Sequence, residues 1–163
     1  MQVREVPWDN ADAVELRNGQ SRDLSARYDS PVTLNEPAPD GVVSMSVLYI
    51  DTDDGELPVG CAALVDVTGA EDVFGAARTV EMRRVYVLPE YRGRGYSHAL
   101  IDETHRIAVE RGFEQIVLVS GTLQPESVGL YRSRGYEELQ PYGMYQQFET
   151  SLFFVKRIVD DTH

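Results

Sequence analysis

A mixed α/β domain is the fold class this sequence predicts, with a sheet of parallel and antiparallel strands and helices on both faces. Three observations carry it. The apolar residues change period along the chain so that its elements read β-α-β-β-β-α-β-α-β-β. Two runs of β character flank an Asp54-Gly55 pair, which signals a hairpin. A strand ending near Leu88, a helix, and a second strand from Glu114 form a crossover unit, and such a unit joins parallel strands.

Taken in order, residues 3–6 read as a short first strand. Over residues 9–28, Ala13, Leu16, Leu24 and Tyr28 recur at helical spacing, with Asp9 or Asn10 as N-cap. Gly19 threatens the continuity of that helix. The segment 35–41, with Pro37, Pro39 and Gly41, reads as a loop. Strands follow at 46–50 and 59–67, joined through Asp51-Thr52-Asp53-Asp54-Gly55-Glu56. Residues 68–77 are a long turn, and a strand over 79–88 ends at Pro89. Gly93 and Gly95 then turn the chain. Ala99, Leu100, Thr104, Ile107 and Ala108 mark a helix that stops at Gly112. A short apolar strand at 114–119 precedes a helix opened by Pro125 and closed by Gly135. Strands at 136–139 and 151–158 finish the chain and are expected to pair.

The chain has 163 residues, which suits one domain over 1–163. At 42% hydrophobic and 26% charged, it is too apolar for a disordered chain. No apolar run approaches the roughly 20 residues of a membrane span, and the N-terminus lacks a signal-peptide pattern. A cytoplasmic protein with no membrane partner is therefore expected. The single cysteine, Cys61, excludes an internal disulfide and reads as a small buried strand residue. The net charge of −12 is uneven: residues 1–79 carry 15 acidic and 5 basic side chains, residues 80–163 carry 12 and 10. Such a field opposes nucleic acid, is compatible with a cationic acceptor, and also serves plain solubility.

The informative stretch is Glu81-Met82-Arg83-Arg84-Val85-Tyr86-Val87-Leu88-Pro89-Glu90-Tyr91-Arg92-Gly93-Arg94-Gly95-Tyr96-Ser97-His98-Ala99-Leu100. It reads as a strand, a basic glycine turn and a helix N-terminus. Without Cβ atoms, successive N–H groups can turn toward an anion, and the helix dipole adds positive potential there. Arg92 and Arg94 add formal charge, so the turn suits a pyrophosphate. Neither G-x-G-x-x-G nor G-x-x-x-x-G-K-[ST] is present, which argues against a dinucleotide or a nucleoside triphosphate.

Arg92-Gly93-Arg94-Gly95-Tyr96-Ser97 resembles the R/Q-x-x-G-x-G/A signature of the GNAT superfamily of N-acetyltransferases, with Ser97 where glycine or alanine is commoner. Gln124-Pro125-Glu126-Ser127-Val128-Gly129-Leu130-Tyr131-Arg132-Ser133-Arg134-Gly135-Tyr136 resembles the family's downstream N-x-x-A-x-x-L-Y-x-x-x-G-F helix, with Gln124 where asparagine is common. The resemblance implies a mostly antiparallel sheet of six to seven strands with a central, splayed parallel pair. It implies acetyl-CoA as co-substrate and cofactor contacts from Val85, Tyr86, Val87, Arg92, Gly93, Arg94, Gly95, Tyr96, Ser97 and His98, while the lone cysteine and the histidine spacing lead to the expectation of no metal. The backbone of residues 85–87 would meet the pantetheine arm and could polarise the thioester carbonyl.

By the same resemblance, Tyr131 stands where many relatives keep the acid that protonates the departing thiolate; packing on an amphipathic helix is its alternative role. Glu81 lies eleven positions before Arg92, the spacing of the catalytic base in histone-type relatives. Arg83 or Arg84 is its alternative partner in a structural role, and a water chain is the alternative base. Tyr142 and Tyr145 fall in a region that in relatives flanks the acceptor amine, with ordinary hairpin packing as their alternative role and Trp8 and Tyr28 as further aromatic candidates. His98, His105 and His163 lack the spacing of a zinc pair. Homodimers are common in the family, and the last strands offer a contact. An enzyme acetylating a primary amine of a small molecule or peptide is the leading reading. A non-catalytic acyl-CoA-binding sensor or interaction domain is the alternative, and amine-dependent thiol release separates the two.

Overall fold

The computed structural model describes residues 1–158. They form two compact units: Met1–Val65 with Met82–Ile107, and Asp66–Glu81 with the residues from Ala108 onward. One strand, β4 (Thr79–Val87), is divided between them.

In the first unit, β1 (Gln2–Glu5) lies antiparallel to β2 (Val42–Thr52), and β2 lies antiparallel to β3 (Gly55–Asp66). Helix α1 (Ala11–Tyr28) joins β1 to β2. Its N-cap is Asn10, whose Oδ1 accepts the N–H groups of Asp12 and Ala13 at 3.0 and 3.1 Å. Gly19 does not interrupt α1. A Cβ there would stand 3.3 Å from the Tyr86 hydroxyl, so packing, not chain flexibility, asks for glycine. Residues 35–41 hold neither helix nor strand, as expected.

The hairpin sits one residue earlier than the Asp54-Gly55 signal suggests. Thr52 pairs with Gly55, so Asp53 and Asp54 form the turn and Gly55 opens β3 with φ 105°. The glycine is needed just after the turn, where the chain re-enters the ladder with positive φ.

Strand alternation then divides the core of this unit. Met45, Val47 and Tyr49 of β2 pack with Cys61 and Ala63 of β3 against Ala13 and Leu16 of α1. Leu48 points the other way and packs with Val59, Ala62 and Leu100 of α2 (Tyr96–Glu110). Helices therefore cover both faces of the β2–β3 hairpin. Helix α2 begins directly after Gly95, three residues before the first apolar marker, Ala99.

In the second unit, β5 (Gln115–Gly121) pairs antiparallel with β7 (Ser151–Arg157) over seven positions. Strand β6 (Glu137–Glu138) pairs with β7, but is shorter than the expected 136–139 because Tyr136 is turned into the core beside Tyr131. Helix α3 (Pro125–Ser133) follows β5, and Gly135 leaves it with φ 87°. A short 3-10 turn, Asp72–Phe74, interrupts the expected loop at 68–77. Phe74, Val117, Tyr142 and Phe153 form an aromatic core. The first residues of β4 run parallel to β5, from Thr79↔Gln115 to Glu81↔Val117, three of the nine in the strand.

The seven-stranded sheet has the order β1-β2-β3-β4-β5-β7-β6, with β4–β5 as its parallel pair, which bears out the mixed, mostly antiparallel class. No helix among the described residues is long and apolar enough to cross a membrane. His163 lies outside the described residues.

Candidate functional site

The glycine turn lies in the first unit, between the end of β4 and α2. A 3-10 turn at Pro89–Tyr91 leads into Arg92, and Gly93 and Gly95 take φ of 78° and 83°. A Cβ built on either would meet no atom within 4 Å. Crowding therefore does not explain these glycines; the left-handed backbone does, and it leaves the turn open to a bulky anion. Tyr96, Ser97 and His98 form the first turn of α2, whose N–H groups have no carbonyl inside the helix to meet. His98 is exposed, while Tyr96 and Ser97 are half-buried. This cradle fits a pyrophosphate.

The two arginines of the turn are already held. Arg92 donates from Nε to the Val87 carbonyl at 2.9 Å, lies over the Tyr86 ring, and approaches Asp23 of α1 at 3.8 Å. Arg94 stacks on Tyr91, its guanidinium 5.1 Å from the ring centre. Both hold their guanidinium groups beside the turn while fixing its shape.

Upstream, β4 carries an unusual residue. Arg84 has φ 62°, a left-handed conformation that costs an ordinary L-residue about 1–2 kcal/mol. It is held from several sides. The Cys61 thiol donates to its carbonyl at 3.2 Å. Its guanidinium donates to Ser21 at 3.0 Å and Gln20 at 3.4 Å, and pairs with Glu36. Gln20 also donates to the Val85 carbonyl at 3.0 Å. Of the three residues expected to face the pantetheine arm, Val85 and Val87 thus have carbonyls engaged by side chains, and Tyr86 is buried against Gly19. Arg84, one of two partners weighed for Glu81, binds Glu36 instead. Burial pushes the Cys61 thiol up to about 12, so it is no nucleophile at neutral pH, as its strand position suggested.

The second unit holds the titratable candidates. Glu81 is buried in the parallel ladder and accepts a hydrogen bond from the Tyr142 hydroxyl at 2.8 Å. Tyr142 is itself buried, edge-on to Phe74 at 4.8 Å and Phe153 at 5.2 Å. Tyr145 is half exposed, with its ring 6.3 Å from that of Phe148. Tyr131 is buried on α3 against Tyr136 and Phe154, and burial holds its phenol well above the usual range. Its proton is therefore retained throughout the working pH range of a protein.

Sequence reasoning missed the supports. Gln20, Ser21 and Asp23 are polar residues of α1, Gln20 among those its inner face buries, while Glu36 is in a loop and Gly60 in β3. A Cβ on Gly60 would stand 2.9 Å from the Tyr86 carbonyl oxygen. The Gly60-Cys61-Ala62-Ala63 run, small at every position, was the one available signal of close approach.

The acetyltransferase (GNAT) family model matches residues 11–136. An IAA acetyltransferase of Azospirillum brasilense is 30% identical over 99 residues, 60% of this chain and 60% of that protein. A thialysine N-epsilon-acetyltransferase of Bos taurus is 29% identical over 62 residues, 38% of this chain and 36% of the other. The matched segments thus span less than two thirds of these curated relatives. Among solved structures, a candidate acyl-CoA N-acyltransferase of Klebsiella pneumoniae is 25% identical, with TM-score 0.71, covering 96% of this chain and 97% of the other. Arabidopsis thaliana NAA60 in complex with acetyl-CoA shares the fold at 17% identity and TM-score 0.66, covering 96% and 98% of the two chains.

Proposed function

The chain belongs to the GNAT acetyltransferase family, and from that premise we propose that it transfers an acetyl group from acetyl-CoA to a primary amine of a small molecule or peptide. The observation that carries this reading is the open glycine turn, with Gly93 and Gly95 at positive φ ahead of α2. Its N–H groups and the helix dipole would hold the pyrophosphate, with Arg92 and Arg94 adding charge. Acetyl-CoA bound there supplies an activated acetyl carbon, to which the amine nitrogen bonds as the carbon–sulfur bond breaks.

The chain's own residues then handle protons and position. The left-handed backbone at Arg84 pre-shapes residues 85–87, so an N–H aimed at the thioester carbonyl needs no rearrangement during reaction. Glu81 takes the proton that the amine nitrogen must lose, with Tyr142 fixing its carboxylate by the 2.8 Å hydrogen bond. Tyr131 keeps its phenolic proton to give to the departing sulfur. Tyr142 and Tyr145 are kept as acceptor-side residues, the second through its exposed ring. The reading extends over 1–163 as one cytoplasmic domain without nucleic acid or membrane partners, pairing in solution through its last strands.

Calorimetric titration with acetyl-CoA and with NADH, on the wild type and Gly95→Trp, tests it. Saturable acetyl-CoA binding, absent with NADH and lost in the variant, is expected, followed by thiol release on adding an amine panel. Folded wild-type protein that binds no acetyl-CoA at millimolar concentration would sink the reading. Binding without thiol release from any amine favours the non-catalytic acyl-CoA sensor.

A further inference from the structure

The first unit contains a second constellation that the glycine turn does not use. Trp8, Asp9, Val14, Arg17, Glu36 and Pro37 line a pocket of about 470 Å³ between the start of α1 and the loop at 35–38. Arg17 is its unusual member. Only 3% of this arginine is exposed, a burial that charged side chains rarely reach without a carboxylate beside them. Among the described residues, its only hydrogen-bond acceptor is the Met45 sulfur, at 3.5 Å from Nη1. Sulfur is a weak acceptor, and a guanidinium carries five donors.

Trp8 covers one face of that guanidinium, with the cation 4.0 Å from the ring centre. A stacked guanidinium keeps its edge free for in-plane hydrogen bonds, the geometry that matches a carboxylate. Trp8 is itself pinned, donating from Nε1 to the Glu36 carbonyl at 3.0 Å. Glu36 meanwhile gives its carboxylate to Arg84, so that among the described residues no carboxylate pairs directly with Arg17 and Glu36 acts on it only from farther off. Burial lowers the Arg17 pKa and the neighbouring Arg84 cation adds to this, a fall that the Glu36 carboxylate offsets only in part.

We propose, resting on the acetyl-transfer reading above, that this pocket binds the carboxylate of a small amino-carboxylate acceptor, with Arg17 as its anchor and Trp8 as the wall beside it. Asp9 lines the same pocket and supplies the opposite charge a zwitterion needs. Val14 and Pro37 give it an apolar side, which suits an acceptor with a hydrocarbon or aromatic portion. Glu36 also ties the pocket to Arg84 and hence to the left-handed backbone ahead of residues 85–87. The acidic surface that suggests a cationic acceptor is answered in part: an amino acid has the amine as well as the anion.

Trp8 is the only tryptophan in the chain, so its fluorescence reports on this pocket alone. The titrants are free L-phenylalanine, L-leucine and 4-aminobutyrate, and beside each its carboxamide, with no acetyl-CoA present. Saturable change of Trp8 emission with at least one acid, at least tenfold tighter than with its amide, is expected. Arg17→Gln should erase that preference by weakening the acid tenfold or more while leaving the amide unchanged. Equal response to acid and amide, or no response to any acid up to tens of millimolar, would overturn it. The wild-type comparison needs no variant, and Arg17→Lys, which keeps charge but not the planar fork, serves if Arg17→Gln does not fold. Because binding is read without acetyl-CoA, its failure stays distinct from failure of the transfer reading, which the acetyl-CoA titration decides.

Discussion

Gly60 in β3 and the pair Gly93 and Gly95 in the turn stand in the same unit but differ in what a side chain would meet. At Gly60 a Cβ would lie 2.9 Å from a backbone oxygen and 3.0 Å from Leu100. At Gly93 or Gly95 it would meet nothing, yet the backbone angle itself favours glycine. One site lacks space; the other lacks only a conformational alternative. A glycine kept for space belongs to the scaffold, because its neighbours are already in place. A glycine kept for conformation in open surroundings shapes a surface, and a surface so shaped suits a ligand. The difference separates residues that hold β4 from residues that present its end to a cofactor.

The largest expected effect lies at the crowded site. Gly60→Ala must displace the Tyr86 carbonyl or Leu100, and overpacking of this kind costs up to about 3 kcal/mol. In a chain of this size that is a fall in Tm of about 6–12 °C by calorimetry. A Tm within a degree of wild type would mean that β3 and β4 yield freely, and the contrast between the two glycine sites would dissolve.

Cys61, next to Gly60, gives the crowded region a pH signature. Its thiol is pushed up from about 9 to about 12 by burial, while in the unfolded chain it ionises near its ordinary value. The folded state therefore holds a proton that the unfolded state loses, and stability falls as pH rises through that window. Between pH 9 and 11 this one group should remove about 2 kcal/mol. Urea melts at pH 7, 9 and 11 should show Cys61→Ala starting lower but falling less steeply, so that the two curves converge. Parallel curves would show that Cys61 ionises alike in both states.

Much of this was legible in the sequence. Order and type of the elements followed from the change of period, and the glycine turn followed from spacing alone. The supports of that turn were not legible, because they act over long separations. Gln20 and Ser21 meet residues 63 to 65 positions away, and no local pattern links them. Arg17 falls four residues after Ala13, on the buried stripe of α1, but its charge assigns an arginine to solvent by default. Its burial depends on Trp8 and Met45, brought together by the pairing of β1 with β2. The hairpin was legible as a hairpin but not in its extent. Strands expected at 46–50 and 59–67 run over Val42–Thr52 and Gly55–Asp66, because backbone pairing carries the ladder through the polar residues 51–52 and 55–56 and leaves only Asp53 and Asp54 as the turn.

The smallest expected effect, and the sharpest test of the comparison, lies at Gly93. Alanine there meets no neighbour, so its cost is the left-handed backbone alone, about 1–2 kcal/mol. Asparagine tolerates that conformation better than alanine and should recover part of the stability, while its larger side chain projects into the same open space above the turn. Stability and acetyl-CoA affinity should then part company. Gly93→Asn should melt closer to wild type than Gly93→Ala, yet bind acetyl-CoA no better than Gly93→Ala. Were Gly93→Asn to regain affinity in step with its Tm, the glycine would serve only to bend the chain into α2, and the open turn would lose its claim as a phosphate cradle.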